Sequence, residues 1–330
     1  MHGWIILDKP LGLGSTQGVS AVKRALREGG YGKFKVGHGG TLDPLATGVL
    51  PIAVGEATKL AGRMLDSDKV YAFTVKFGVE TDTLDLEGKV IAESDVRPTW
   101  DQVAAALPRF TGPIEQVLPA YSAIKVDGER AYDLARAGED VVLKSRSVTV
   151  HSLKILPGTG RWQAQPDGGG APQAAPLAEN PLHQPAAGPP PRAGEDLEEV
   201  TLTAHVSKGT YIRSLARDIA RALGTVGHVT LLRRTKAGPF TLSTAISLDK
   251  LADAAKARTL EDNLLPLRAG LDDIPALSLT PDQAGLLRQG RVLIGTAAEN
   301  GQHFAMLGDT PVALVEADAG EVRVVRGFNL

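Results

Sequence analysis

The sequence predicts an α+β fold in about two domains, and three observations carry that prediction. Short β-branched and aromatic runs alternate with amphipathic helical stretches through most of the chain. Residues 271–330 hold only short strand-like pieces between Gly and Asp turns. A chain of 330 residues is also longer than one core usually organises.

The elements follow in order. Trp4-Ile-Ile-Leu7 reads as a buried strand, and Asp8 to Gly12 as a turn. Ser15 is a candidate N-cap; Val19, Val22 and Leu26 then recur at helical spacing until Gly29-Gly30 stops the helix. Gly37 to Pro51 reads as a loop, Val70 to Val79 as a strand, Glu80 to Gly88 as a polar loop and Lys89 to Ala92 as a short strand. Residues 99–109 form a capped amphipathic helix in this reading. Ala120 to Val126 is a strand, Asp127-Gly128 a turn, Ala131 to Ala137 a helix and Ser147 to Leu156 a strand.

Residues 162–194 break the pattern, with eight Pro, eight Ala and five Gly among 33 residues. So few large apolar side chains cannot offset chain entropy, so this stretch (about 160–197 at its widest) is expected to be a disordered loop between two strands. Val200 to Val206 resumes alternation, Gly209 to Leu223 is helical and basic, and His228 to Leu232 is a strand. The terminal strand candidates are 291–294, 304–307, 311–315 and 321–325.

Composition excludes several classes of function. No apolar stretch approaches the ~20 residues of a membrane span. The first residues lack the basic start of a signal peptide, so a cytoplasmic protein is expected. The absence of cysteine removes disulfides, thiolate zinc sites and cysteine nucleophiles together. The seven histidines show no metal-ligand spacing along the chain, and no metal is expected. P-loop, Gly-x-Ser-x-Gly and His-Glu-x-x-His patterns are missing as well, and Asp43 has no Asp at 41 or 45 to make an Asp-x-Asp pair.

Net charge is −2, yet its distribution is uneven. Residues 201–240 carry seven Lys or Arg against the single acid Asp218, whereas residues 260–330 carry five Arg against ten acids. A local cationic stretch is what phosphate contact requires; a solvated helix face is the plainer reading.

The chemistry concentrates in Gly37-His-Gly-Gly-Thr-Leu-Asp-Pro-Leu-Ala-Thr-Gly-Val-Leu-Pro51. Its glycines allow close backbone approach or positive φ, and Pro44 pushes Asp43 out of helical geometry. The loop therefore presents one carboxylate. Asp43 is either a nucleophile or base that needs a cation to orient it, or a turn cap.

This segment, continued to Lys59, resembles the catalytic-loop signature of the bacterial tRNA pseudouridine synthase B (TruB) family. Three further segments resemble that family in the right order: Lys69-Val-Tyr71 with Thr81-Asp-Thr-Leu-Asp85, Pro119 to Gly128 leading to Tyr132, and Ser207-Lys-Gly-Thr-Tyr-Ile-Arg213 leading to Leu231-Leu-Arg-Arg234. The match covers residues 1–250 apart from the insertion.

The resemblance implies a mixed, mainly antiparallel catalytic domain over 1–270 and a small β-barrel, PUA-like RNA-binding domain over 271–330. It implies isomerisation of uridine 55 in the tRNA T loop without a cofactor, an obligatory protein partner or a membrane. Assistance to tRNA folding is implied too. Asp43 matches the nucleophile, and Tyr71 the tyrosine that stacks on the base. Arg213 matches the arginine that pairs with the aspartate. His38 matches a T-loop contact; Tyr211 and Leu232 match residues that line the uridine pocket. Two competing readings are an RNA-binding module with a vestigial site and a sugar hydrolase; the latter would need a second carboxylate.

Overall fold

The computed structural model describes residues 1–119, 125–126, 129–130, 145–156 and 196–330. The predicted helix at 131–137 and turn at 127–128 lie outside these residues, as do most of the predicted strand at 120–126 and of the insertion. Lys125–Val126 pairs antiparallel with Glu129–Arg130. The chain divides into two units, one of residues 1–67 with 236–330 and one of residues 68–235.

In the first unit the strand Gly3–Lys9 pairs antiparallel with Ala46–Val54 along its whole length. The apolar run is buried because both faces of this strand are covered. Ile5 and Leu7 meet Val19, Val22 and Leu26 of the helix Ser15–Glu28. Trp4 and Ile6 meet Phe240 and Leu267, in a cluster that also takes in Phe304 and Phe328. Alternation along a strand divides four consecutive apolar residues between two cores.

Ala46–Val54 corrects the loop reading of 37–51: Gly48 and Pro51 look like turn residues, yet the strand is almost wholly buried. Val36–His38 pairs with it antiparallel. The helices Leu248–Ala257 and Pro281–Arg288 belong to this unit too and escaped the sequence reading.

Residues 276–327 form a separate five-stranded sheet in the order 276–278, 301–307, 310–318, 321–327, 293–294. Its first pairing is parallel and the others antiparallel. Ala284 and Leu287 of Pro281–Arg288 fill its core with Ala305, Val315 and Val322. The arrangement fits the PUA-like class.

In the second unit the strands run in the order Gly227–Ala237, Lys69–Phe77, Glu199–Val206, Ser145–Ile155, Gly112–Val117. The pairings of Glu199–Val206 and Ser145–Ile155 with their neighbours are antiparallel. The helix Ile212–Ala222 lays Ile212, Leu215, Ala216 and Ile219 on Phe73, Val75, Val150, Val200 and Leu202. The predicted helix near 99–109 is Trp100–Ala106, followed by a 3-10 turn; Thr99 Oγ1 caps it by accepting from the Gln102 N–H at 3.3 Å.

Candidate active site

Asp43 and His38 belong to the first unit; Tyr71, Tyr211, Arg213 and Leu232 belong to the second. Each set is built by its own local framework.

Asp43 is half-buried on a loop whose main chain is held from both sides. Ser15 was expected to cap the helix, but Gly14 occupies the N-cap position. The Ser15 hydroxyl instead accepts from the Leu42 N–H at 2.8 Å and donates to the Leu42 carbonyl at 2.9 Å. On the other side Lys9, fully buried, donates from Nζ to the carbonyls of Leu13 (2.6 Å), Pro10 (3.0 Å) and Pro44 (3.2 Å). Gly12 N–H donates to the Pro44 carbonyl as well, at 2.9 Å. Residues 42 and 44, on either side of Asp43, are thus fixed through their backbones.

The glycines have their own reasons. A Cβ at Gly39 would lie 2.6 Å from Met64 Cβ, and Gly40 has φ 136°, where side chains are strained. The close approach at Gly39 is thus to the protein's own core. His38 is half-buried and ends Val36–His38, opposite Ile52.

Arg213 sits in the first turn of Ile212–Ala222, and the polar loop at 81–87 is shaped around it. Arg213 Nη1 donates to the Thr83 carbonyl at 2.9 Å and to Asp85 Oδ2 at 3.1 Å. The other oxygen, Asp85 Oδ1, accepts from Thr83 Oγ1 at 2.5 Å and from the Glu87 N–H at 3.0 Å. Leu84, between them, adopts φ 63°. A left-handed conformation costs a side-chain-bearing residue about 1–2 kcal/mol, and the bonds around Asp85 hold it there.

Tyr211, half-buried, precedes the helix; its N–H donates to Gln116 Oε1 at 2.8 Å, and its carbonyl accepts from Gln116 Nε2 at 3.0 Å. Gln116 is fully buried and does for the helix start what no side-chain cap does. Tyr71, opposite Ala204, and Leu232 are half-buried and pack on the same core as the helix.

Sequence reasoning gave no role to Lys9, Asp85 or Gln116. Asp85 had a signal, since it closes the Thr81–Asp85 motif. Gln116 had none.

The basic segment is divided between the interior and the surface. Arg213, Arg217 and Arg234 are buried. Arg217 bonds Asp218 (2.8 Å) and the Val117 carbonyl (3.0 Å), and the partly exposed Arg221 bonds Glu80 (2.7 Å). Part of the local charge therefore serves the fold; Lys208, Arg221 and Lys236 are the exposed members.

Residues 25–164 match the TruB family pseudouridylate synthase N-terminal domain, and residues 213–272 match the tRNA pseudouridylate synthase B C-terminal domain. The whole chain is 62% identical to the tRNA pseudouridine synthase B of Novosphingobium aromaticivorans, covering 98% of it. The chain belongs to the TruB family. It is accordingly a pseudouridine synthase, an isomerase. The Zymomonas mobilis tRNA pseudouridine synthase B is 55% identical, with 100% of this chain and 96% of that one covered.

Among solved structures, a chain from an H/ACA RNP bound to a substrate RNA containing 2'-deoxyuridine aligns with TM-score 0.67 at 22% identity, covering 99% of this chain and 85% of that one. A chain of a Cbf5-Nop10-Gar1 complex aligns with TM-score 0.66 at 24% identity, over 99% and 84%. These likenesses show the fold: a TruB-like α+β architecture with mainly antiparallel sheets. No helix among the described residues is long and apolar enough to cross a membrane.

Proposed function

We propose that this chain converts uridine 55 in the T loop of tRNA to pseudouridine, with Asp43 as nucleophile. The observation that supports this most is full-length similarity to relatives named tRNA pseudouridine synthase B. The clamped loop that presents Asp43 supports the role of the carboxylate.

The reaction breaks the N1–C1′ glycosidic bond, turns the uracil and joins C5 to C1′. C5 loses a proton and N1 gains one, so the change is internal to the nucleotide and calls for no cofactor. Asp43 has three candidate targets: C1′, C6 of the uracil, or the 2′ proton. Arg213 orients the carboxylate better than Lys would, because its planar fork fixes geometry.

Tyr71 offers a flat face for the base and a hydroxyl for proton traffic. Tyr211 and Leu232 line the uridine pocket, and His38 contacts the T loop. The target base leaves its stack at a cost of a few kcal/mol; unstacked RNA loops are natural targets for such a pocket. Residues 1–270 serve as the catalytic domain and 271–330 as an RNA-binding domain, and the protein assists tRNA folding besides modifying it.

The test uses a tRNA transcript with tritium at C5 of uridine. Wild type releases tritium, whereas Asp43→Asn releases none and still binds the transcript. Release by the variant at the wild-type rate would remove Asp43 from the chemistry; binding without release by wild type would leave an RNA-binding role.

A further inference from the structure

In the second unit, on a sheet face apart from the residues discussed so far, two imidazoles and a carboxylate converge. Asp68 immediately precedes the strand Lys69–Phe77. His205 lies on the adjacent strand, opposite Val70. His151 lies on the next strand, Ser145–Ile155, at a break in register: Val150 pairs with Val206 and Ser152 with His205, so His151 is the extra residue of a β-bulge.

A bulge sets two residues against one and re-aims a side chain. Here Val150 and Leu153 stay in the core, while His151 and Ser152 between them both face outward. The His151 ring comes to rest 4.7 Å from that of His205.

The distances are those of a metal site. Asp68 Oδ2 lies 3.1 Å from His151 Nε2 and 3.5 Å from His205 Nε2. One ligand atom from each residue falls within 4.8 Å of the others. Zinc bonds of about 2.0–2.1 Å to nitrogen and oxygen set ligands about 3.3 Å apart in a tetrahedron. Two of the three edges already bracket that length, and the third, at most 4.8 Å, closes by rotation of the rings.

Donor chemistry narrows the occupant. A carboxylate between the rings disfavours an anion. Two imidazoles favour zinc, nickel or copper over magnesium or calcium, which take oxygen. We propose that Asp68, His151 and His205 bind one zinc-class divalent cation, tying three neighbouring strands together and leaving a coordination position open to water.

The test starts from full-length protein stripped with a chelator and titrated with Zn²⁺ by calorimetry and with Co²⁺ by visible absorption. Wild type should bind one equivalent and develop cobalt ligand-field bands. His151→Ala and His205→Ala should each weaken binding by about 100-fold. In unmutated protein, NMR should show Zn²⁺ shifting the imidazole signals of these two histidines before the other five. That measurement does not depend on the variants folding. The proposal falls if wild type fails to bind Zn²⁺ at about 1 mM, a Kd worth only about 4 kcal/mol. It falls equally if the double histidine variant binds as wild type does, or if other histidines shift first.

Discussion

The candidate site residues of the two units are held in opposite ways. In the first unit Asp43 is placed through main chain: Ser15 grips Leu42, and Lys9 grips Pro44. In the second unit Arg213 is placed through its own guanidinium, which Asp85 and the Thr83 carbonyl hold directly. The contrast separates position from identity. The Asp43 loop should survive the loss of its carboxylate, because Ser15 and Lys9 hold main-chain groups of Leu42 and Pro44, whereas the setting of Arg213 depends on the chemistry of Arg213 and Asp85 themselves.

The most severe way to break this comparison is Lys9→Met. It leaves three partly buried carbonyls without their cationic donor, at a cost of about 3 kcal/mol. Urea unfolding should register that loss, and tritium release should fall with it. Asp43→Asn should unfold within about 0.5 kcal/mol of wild type while losing the tritium release. A large destabilisation there would show that the carboxylate also holds the loop.

Asp85→Ala comes next, at about 2 kcal/mol, since it removes a nearly buried carboxylate from a charge-assisted bond. Asp85→Asn keeps an acceptor for Arg213 and should retain most of the stability while still lowering kcat. Equal kcat in wild type and Asp85→Asn would show that the charge of Asp85 does not matter to the arginine.

Ser15→Ala should cost about 1 kcal/mol and lower kcat more than it raises KM, because it loosens the loop beside Asp43. An effect on stability without one on kcat would make the Leu42 clamp purely structural.

The smallest effect concerns a side-chain clamp inside the first unit. Burial pushes the Glu56 carboxyl upward, but hydrogen bonds from Lys59 and the Asn329 N–H, with the charges of Lys59 and His2, outweigh it. The net pKa lies below the ordinary 4.5. The stability this contributes is complete above that ordinary value and disappears as pH falls through the lowered folded-state value. The unfolding free energy of wild type should therefore drop more between pH 6 and 3 than that of Glu56→Gln, by a few tenths of a kcal/mol for so solvent-accessible a pair. Parallel curves would show that Glu56 contributes nothing through its charge.

How far the sequence could be read followed the range of each interaction. Trp4–Leu7 was legible as a strand because alternation is local. The helices at 15–28 and 212–222 were legible because their apolar spacing was. Ala46–Val54 was misread, since Gly48 and Pro51 signal a turn unless neighbouring strands bury them. Pro281–Arg288 carried a readable capping signal, Thr280 with Gln283, but too few apolar residues to stand out. For the basic segment, charge along a sequence does not reveal depth: Arg213 and Arg234 lie inside, while Lys208, Arg221 and Lys236 are exposed.

The sequence by itself determined the chemistry-bearing loop, the order of the family motifs and the fold class, because those reside in neighbouring residues and their periodicity. Only the tertiary structure decided what holds each group. Asp85 and Arg213 are 128 residues apart, Gln116 and Tyr211 are 95 apart, and Lys9 and Pro44 are 35 apart. The convergence of Asp68, His151 and His205 depends on strand register and one bulge. Such partners leave no trace in local pattern, since it is sheet pairing and helix packing that bring them within bonding distance.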